Sequence, residues 1–530
     1  MLIIFLLSCQ PPEDAIQPNQ HVVTLYTHQC DSIQSQHFRS EFLGTDWLRQ
    51  PYSEDRHLSG WGLAVEDFNQ DGLWDVFLPH PFHQDQLFLG KEDGTLENHS
   101  VALTPNDPNA LGFGATAIDL DFDGDVDIAV GAEGYNYLYE NDNGQFMLIP
   151  EAAFSDQAPS NFTTWHLAIA DANQDGWWDF YGPTFYTRFL SENDDLQPNL
   201  IYWGTSLWQW NRQLNWSEHF EYSPANAGGW LDANDDGILD VFVVNDKPQL
   251  GFQSGLLLHD GDGHFEEWND RGLNFEVHGM GLAWGDVNLD GLVDIVVTGH
   301  GEIALGMNEG NLYWYEASQS LGLIPDREHQ VGWGVELVDL DNDGDQDLLI
   351  ANGPEFDRNG DLGGDPANDY DGNIPEQLFA VYLNHNGHFE LQLDNYWQIG
   401  EPGVHRGFTL VDYNQDGYLD IFARNLGRGT NYWQSNCLPN KSIMIRLKDN
   451  VQSQNPTGIG TRIWVSHPQL PTQFRDIQVG SSNIASSSPP IAHFGVGMYE
   501  SVDIKIRWPD GTITEHVGIA TGQTIEISRE

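Results

Sequence analysis

A nine-residue pattern of oxygen-bearing side chains recurs seven times in this 530-residue chain. The pattern, D-x-[DN]-x-D-G-x-x-D, places side-chain oxygens at positions 1, 3, 5 and 9 and a glycine at position 6. This donor set suits Ca²⁺, a hard cation that takes about six to eight oxygens, and the glycine turns the chain so that the backbone carbonyl at position 7 can join them. The pattern therefore predicts about seven structural Ca²⁺ sites.

The predicted ligands occupy positions 1, 3, 5, 7 and 9 of each loop, with position 7 contributing its backbone carbonyl. They are Asp67, Asn69, Asp71, Leu73 and Asp75 in loop 1; Asp119, Asp121, Asp123, Asp125 and Asp127 in loop 2; Asp171, Asn173, Asp175, Trp177 and Asp179 in loop 3; Asp232, Asn234, Asp236, Ile238 and Asp240 in loop 4; Asp286, Asn288, Asp290, Leu292 and Asp294 in loop 5; Asp339, Asp341, Asp343, Asp345 and Asp347 in loop 6; Asp412, Asn414, Asp416, Tyr418 and Asp420 in loop 7. Because every set is complete, we interpret these sites as stabilising and assign no catalytic residue.

The flanks of the loops exclude the EF-hand, which needs a glutamate at position 12 and a helix on each side. Position 12 is never glutamate here, and the residues around it form short apolar runs, such as 127–130 and 294–297, that are typical of strands. The loops begin 52 to 73 residues apart. A period near 50 residues with about four strands per unit predicts a β-propeller blade.

Each loop follows a strand rich in glycine and aromatic residues, as in Gly-Trp-Gly-Leu-Ala-Val at 60–65 and Val-Gly-Trp-Gly-Val at 331–335. This unit resembles the FG-GAP/VCBS repeat of integrin α subunits and bacterial surface proteins. The resemblance implies a seven-bladed calcium-loop propeller, which we place at residues 36–440. The last unit lacks an outer strand, and we expect residues 37–42 to supply it and close the ring.

The chain is strongly acidic, with 21 Lys and Arg against 80 Asp and Glu and a formal net charge of −59. Such a surface repels phosphate backbones, so we expect no nucleic-acid partner. Residues 441–530 instead balance 8 basic against 8 acidic side chains, which places a domain boundary near residue 440. The motifs HFGVG at 493–497 and RWPDG at 507–511 make this segment similar to the ASPIC/UnbV domain. We therefore predict an all-β fold: a seven-bladed propeller followed by a small β-sandwich-like domain.

The amino terminus, residues 1–9, is an apolar run ending in Leu-Leu-Ser-Cys, which resembles a bacterial lipoprotein signal. We expect Cys9 to be lipidated, residues 10–35 to form a polar tether, and membrane contact to occur only through the lipid. Gln10 favours the outer membrane of a Gram-negative bacterium, with the periplasmic or surface face left open. Cys30 and Cys437 flank the repeats and predict a disulfide, with two buried thiols as the alternative.

Three further features are candidate sites. The aromatic insertion 182–228 predicts ligand binding by Tyr186, Trp203, Trp208 and Trp210, or alternatively an extra packed layer. The acidic insertion 351–377 could hold another cation, although a solvated loop is favoured because the spacing is incomplete. His166, His278 and His405 precede loops and could bind a transition metal in the channel or form a polar wall.

No nucleophile elbow, H-E-x-x-H, P-loop or haem-attachment motif is present in the sequence. The resemblance implies an extracytoplasmic, adhesive or matrix-associated protein. We accordingly predict a lipid-anchored calcium-binding module for adhesion or ligand recognition, with an extracellular glycan or protein as partner. An enzyme acting on a polysaccharide or a biosynthetic intermediate is the alternative, and a purely structural envelope protein is a third reading.

Overall fold

The computed structural model describes residues 20–29, 38–40, 61–81, 83–103, 110–149, 154–155, 163–185, 197–268, 271–325, 330–354, 376–393, 396–426, 429–452 and 454–530. Within these ranges the chain is strand and turn, with two 3-10 turns at Ser100–Ala102 and Pro248–Leu250 and no α-helix. No helix in the same ranges is long and apolar enough to cross a bilayer. Most of the acidic insertion 351–377 lies outside them.

Seven antiparallel sheets follow one another along the chain, and each contains one loop between its first and second strands. We number the sheets 1 to 7 with their loops. Their strands are Ala64–Glu66, Asp75–Leu78, Gln86–Gly90 and Leu96–Asn98 in sheet 1; Leu111–Ile118, Asp127–Glu133, Tyr137–Asp142 and Gln145–Leu148 in sheet 2; Ala168–Ala170, Asp179–Gly182, Leu200–Ser206 and Gln209–Arg212 in sheet 3; Ala225–Leu231, Asp240–Asn245, Gly255–His259 and Phe265–Glu267 in sheet 4; Gly281–Gly285, Asp294–Thr298, Ile303–Asn308 and Trp314–Glu316 in sheet 5; Gly332–Val338, Asp347–Asn352, Ala380–Asn384 and Phe389–Leu391 in sheet 6; His405–Val411, Asp420–Asn425 and Gly429–Ser435 in sheet 7.

The sheets close into a ring because neighbours in sequence pack together and the inner strand of sheet 7 contacts that of sheet 1. As predicted, the outer strand of sheet 7 comes from the amino-terminal side: Phe38–Ser40 pairs antiparallel with Gly429–Ser435, and Phe38 lies opposite Ser435. The fold is therefore an all-β propeller.

Sheets 2 and 3 contain more strands than the four-strand repeat predicts. Phe154–Ser155 pairs in parallel with Gln209–Arg212 on the outside of sheet 3, and Thr163–Thr164 with Thr184–Phe185 extends sheet 2. Within the described residues, the insertion 182–228 supplies the third and fourth strands of sheet 3, which carry Tyr202, Trp203 and Trp210.

The carboxy-terminal domain consists of two four-stranded sheets. One contains Lys441–Asp449, Ile491–Gly497, Gln523–Arg529 and the amino-terminal strand Gln20–Thr27; the other contains Arg462–His467, Leu470–Asp476, Ser501–Arg507 and Ile513–Ala520. The strand Gln20–Thr27 corrects our prediction that residues 10–35 are all tether. Its β-branched and aromatic side chains favour an extended backbone, and that backbone pairs antiparallel with Gln523–Arg529.

This domain sits on the face of the ring that carries the loops, which we call the loop face. Contacts with five of the loops fix it there: the Arg446 guanidinium 5.8 Å from the Trp74 ring, Gln454 against Gly176, Arg507 on Asp232, Asn440 Nδ2 donating to Asp341 O, and Ser442 Oγ donating to Gly417 O. One apolar core runs through the interface, since Val479, Phe494 and Trp508 belong to the same buried cluster as Trp178 of sheet 3. Ring and domain form a single packed unit.

Residues 479–488 of the carboxy-terminal domain enter the centre of the ring, and we call this segment the plug. It contacts the inner strands of all seven sheets. The contacts, in sheet order, are the bridge of Ala64 with Ser487, Ala115 N–H to Ala485 O, the bridge of Ile169 with Val479, Trp230 N–H to Ser481 Oγ, the bridge of Leu282 with Asn483, Ser482 Oγ–H to Glu336 Oε1, and Leu410 N–H to Ser488 Oγ. The central channel is therefore filled by the protein itself.

Candidate metal centres

The seven loops have one backbone conformation. The residue at position 4 is in the left-handed region in every loop, with φ between 57° and 66°, although none of these residues is glycine; they are Gln70, Phe122, Gln174, Asp235, Leu289, Asn342 and Gln415. The glycine at position 6 also has positive φ, from 86° in Gly72 to 109° in Gly344. Because left-handed backbone is costly for non-glycine residues, this repeated shape indicates that the surrounding hydrogen bonds impose it.

The carboxylates at positions 1 and 5 supply those hydrogen bonds. In all seven loops Oδ2 of the first aspartate accepts the N–H of the position 6 glycine at 2.8 to 3.1 Å. Oδ1 of the position 5 aspartate accepts the N–H of position 7 in the same way. The N–H of position 7 therefore points at a side chain, as expected of a tight Asp-rich turn.

The aspartate at position 9 connects its loop to the third strand of the sheet. Its Oδ2 accepts the N–H of position 2. Its Oδ1 accepts an N–H from the third strand, donated by Gly90, Asn141, Gly204, His259, Asn308, Asn384 and Ser435 in sheets 1 to 7. All seven of these aspartates are at most 1% exposed. The aspartate at position 9 thus holds its loop to the third strand, in addition to being a predicted calcium ligand.

Position 3 divides the loops into two kinds. In loops 1, 3, 4, 5 and 7 an asparagine occupies it, and its Nδ2 donates to the position 5 carboxylate. In loops 2 and 6 an aspartate occupies it, and three carboxylate oxygens lie within 4.8 Å of one another, from Asp119, Asp121 and Asp127 or from Asp339, Asp341 and Asp347. Among the described residues, loops 2 and 6 are therefore the ones whose carboxylate oxygens gather this closely.

The electrostatics of these loops are compatible with a bound cation. With protein atoms alone around them, burial raises the pKa of Asp75 and Asp294 to about 8 and holds that of Asp347 well above its usual range. The donors that reach the first aspartates are backbone N–H groups, with loop 4 the exception among the residues described. Buried carboxylates without a counter-charge are costly. An oxygen-only donor set of this charge fits Ca²⁺.

The predicted aromatic ligand site does not form as expected. Trp210 is 3% exposed and its Nε1–H donates to Trp178 O, so this residue belongs to the core of sheet 3, which corrects our prediction for it. Trp203 is half-buried, donates to Gln213 Oε1 and stacks on His259 of sheet 4 at 5.4 Å. Trp208 is also half-buried, and Tyr186 lies outside the described residues. Trp203 and Trp210 therefore pack as in the packed-layer alternative, and ligand binding by Tyr186 and Trp208 stays a prediction.

The three candidate channel histidines occupy separate surroundings. His166 is buried with Nε2 3.1 Å from Gly228 O; His278 lies beside His300, with ring centroids 5.9 Å apart; His405 packs against Phe379 at 4.8 Å. Among the described residues, the groups close enough to share a metal are those of loops 2 and 6. These histidines therefore form no common metal site, which favours the alternative of a polar wall.

Cys437 is disulfide-bonded and 6% exposed. Its predicted partner, Cys30, lies outside the described residues, so the pairing stays a prediction. His28, two residues before Cys30, packs against Gly417. Cys437 Sγ lies 3.5 Å from the Asp416 carboxylate. The two segments therefore approach the same loop, as the predicted bridge requires.

Two features of the structure, an aromatic group around Trp61 and a contact of Arg507 with loop 4, were not predicted from the sequence. On the face opposite the loop face, which we call the free face, Trp61 stacks on Trp165 at 4.1 Å and meets Trp333 edge-on at 5.1 Å. The Arg406 guanidinium lies 4.0 Å from the centre of the Trp333 ring and 5.3 Å from that of Trp61. The tip of the plug packs beneath this group.

The second feature is the contact of Arg507 with loop 4, for which the sequence offered one signal: aspartate at position 4.

Comparisons with known proteins agree with this architecture. The model described as "FG-GAP-like repeat" matches residues 67–130, 119–182, 232–297 and 286–350, and the model "ASPIC and UnbV" matches residues 451–530. Each repeat match begins at the first aspartate of a loop and includes the next loop.

Two curated relatives match most of the chain. Both are named cartilage acidic protein 1: that of Xenopus tropicalis is 24% identical over 507 residues, covering 88% of this chain and 73% of its own length, and that of Homo sapiens is 21% identical over 521 residues, covering 90% and 72%. Similar solved structures include a lectin from Burkholderia pseudomallei (12% identity, TM-score 0.45, 72% of this chain and 97% of that one) and YCF48 bound to the D1 peptide (10%, 0.44, 77% and 99%).

Proposed function

Because this chain is an FG-GAP repeat protein with a carboxy-terminal ASPIC and UnbV domain, we propose that it is an exported recognition module. Calcium holds its ring together and the ligand binds the free face. One observation carries this proposal: the carboxy-terminal domain covers the loop face and the plug fills the channel. Among the described residues, the free face is the part of the ring left for a partner.

Calcium has a structural role in this proposal. When bound, Ca²⁺ supplies the positive charge that the buried carboxylates lack, and the seven loops provide the ligands named above. Each ion holds the loop of its sheet in place, and the position 9 aspartate connects the loop to the third strand by a hydrogen bond. An ion that binds only the folded ring stabilises it by mass action.

The centre of the free face suits recognition by stacking. Trp61 is half-buried, and its orientation is fixed by Trp165, Trp333 and Arg406. A pre-oriented aromatic ring with a polar edge binds the apolar face of a sugar or a peptide side chain at little entropic cost. The ligand is accordingly an extracellular glycan or a protein segment.

The proposed lipid anchor would attach on the opposite side. The first described strand begins at Gln20, which pairs with Arg529 in the carboxy-terminal domain. Residues 10–19, fully extended, would span about 35 Å at most. A lipid on Cys9 would therefore keep the carboxy-terminal domain near the membrane, with the free face on the far side of the ring.

Screening residues 20–530 on a glycan array and in a pull-down of surface proteins tests this proposal. The unmodified protein should bind a defined glycan or protein, Trp61→Ala should lose that binding, and Trp61→Phe should retain part of it. Tyr315→Ala, which removes an exposed aromatic ring from the outer strand of sheet 5, is the matched control and should bind normally. Equal binding by all variants would contradict the free-face site. Cleavage of the bound glycan would instead identify the enzyme alternative.

A further inference from the structure

Loop 4 differs from the other six at position 4. Asp235 occupies this position, whereas uncharged residues occupy it elsewhere. The side chain of Asp235 faces two arginines of the carboxy-terminal domain: Arg507 Nη1 donates to its Oδ1 at 2.6 Å and Arg462 Nη1 at 2.9 Å. At loop 4 the domain is therefore held to the ring by ion pairs as well as by packing.

Arg507 also reaches a predicted calcium ligand. Its Nη2 donates to Oδ2 of Asp232, the first aspartate of loop 4, at 2.5 Å, while Arg462 Nη2 donates to Asp232 O at 3.1 Å. Within the described part of the chain, the first aspartates of the other six loops accept hydrogen bonds from backbone N–H groups. Arg446 and Arg475 approach loops 1, 5 and 6 without such a bond.

A guanidinium on a ligand carboxylate opposes cation binding for two reasons. The hydrogen bond occupies a lone pair of an oxygen that the cation needs, and the positive charge repels the ion across a short distance in a partly buried site. Arg507 is well placed for both effects because its side chain is 16% exposed and Asp235 holds its other nitrogen. Arg462 is largely neutralised by Asp476, which it contacts at 2.6 and 2.9 Å.

We propose that loop 4 binds calcium more weakly than the other six loops and that Arg507 sets its affinity. The inference rests on the proposed calcium function of the loops. Since binding free energies are reciprocal, an ion in loop 4 also alters how tightly the carboxy-terminal domain holds the ring at this point. Loop 4 thus responds to calcium in a concentration range where the other loops are already saturated.

Native mass spectrometry of the full, unlipidated chain counts bound ions across a series of buffered calcium concentrations. The unmodified chain should fill its last site in a separate step at higher free calcium, and Asp236→Ala, which removes a loop 4 ligand, should abolish that step. Arg507→Gln should move the step to lower calcium by about tenfold or more. Lys505→Gln removes an exposed charge from the same strand and should leave the step in place.

Asp235→Asn provides an independent test, because it retains Arg507 and removes the carboxylate that balances it. This variant should move the last step to higher calcium. The proposal is overturned if all ions bind the unmodified chain in one step, or if neither Arg507→Gln nor Asp235→Asn moves the last step. A chain that binds no calcium at all would overturn the calcium role itself, and the unmodified protein alone reveals that outcome.

Discussion

Replacing Gly62 with alanine should displace the plug from the centre of the ring. A Cβ atom at this position would lie 1.5 Å from Ala485 O and 2.2 Å from its carbonyl carbon. Both are backbone atoms at the tip of the plug, so no side-chain rotation can make room for the added methyl group. Met280 and Trp333 pack around this tip. The plug or the inner strand of sheet 1 must therefore shift by more than an ångström.

Such a shift breaks the hydrogen bonds around the contact. Ala115 N–H donates to Ala485 O at 3.1 Å, Ser487 N–H to Leu63 O at 3.0 Å, and Val65 N–H to Ser487 O at 3.3 Å. Each bond contributes about 1 kcal/mol net, and forcing a methyl group into a packed site costs about 1–3 kcal/mol. The free energy of unfolding should fall by about 3–5 kcal/mol if most of these terms are lost.

Urea unfolding followed by tryptophan fluorescence, with calcium in excess, measures this loss, and limited proteolysis within residues 479–488 reports release of the plug. Gly94→Ala is the control, since Gly94 also has a conformation that favours glycine, with φ of 79°, but has no atom within 4 Å of an added Cβ. It should cost about 1 kcal/mol. Equal stability of the two variants, with no new cleavage, would refute the plug as a structural element.

Three further predictions concern buried groups. Burial raises the pKa of Glu133 to about 7, although Thr163 opposes that shift. Since the folded state keeps a proton that the unfolded chain releases near pH 4.5, stability should fall as pH rises from about 5 to 7, by up to about 1.4 kcal/mol per unit for this group. Glu133→Gln should flatten that fall in unfolding curves, and an unchanged slope would argue against it. Asp294→Asn should destabilise the chain by about 1–3 kcal/mol in EDTA, because an amide oxygen cannot replace both carboxylate oxygens that accept N–H groups here. A smaller loss would contradict the role of the position 9 aspartate in holding its loop to the third strand. Cys30→Ser should free one thiol at Cys437, countable by alkylation and mass, whereas alkylation of Cys30 in the unreduced parent would rule out their pairing.

The repeated part of the fold could be predicted from sequence because its signals are local. The geometry of each loop is encoded in its own nine residues, and a short apolar run follows each loop. The apolar runs 127–130 and 294–297, predicted as strands, lie within the strands Asp127–Glu133 and Asp294–Thr298. The closing strand at Phe38 could be predicted by counting the strands of each unit. The seventh unit lacks an outer strand, and a suitable segment lies on the amino-terminal side of the repeats.

The contacts between segments far apart in sequence could not be predicted. The plug is rich in serine, and nothing in its composition shows that it fills a channel. Trp210 could equally have been exposed, because sequence does not state which side of an outer strand the next sheet covers. The strand at Gln20 was interpreted as a tether because its pairing partner lies some 500 residues later. The Arg507 contact depends on how the carboxy-terminal domain docks.

Thermal unfolding of the same preparation in calcium and in EDTA, at fixed pH and ionic strength, measures how much bound calcium stabilises the ring. Several ions, each contributing about 2–3 kcal/mol at a hundredfold excess over its dissociation constant, should raise the melting temperature by more than about 10 °C. Readdition of calcium, but not of magnesium, should restore it, since Mg²⁺ demands a smaller octahedral site. Superimposable melting curves in calcium and EDTA would contradict a ring held together by metal.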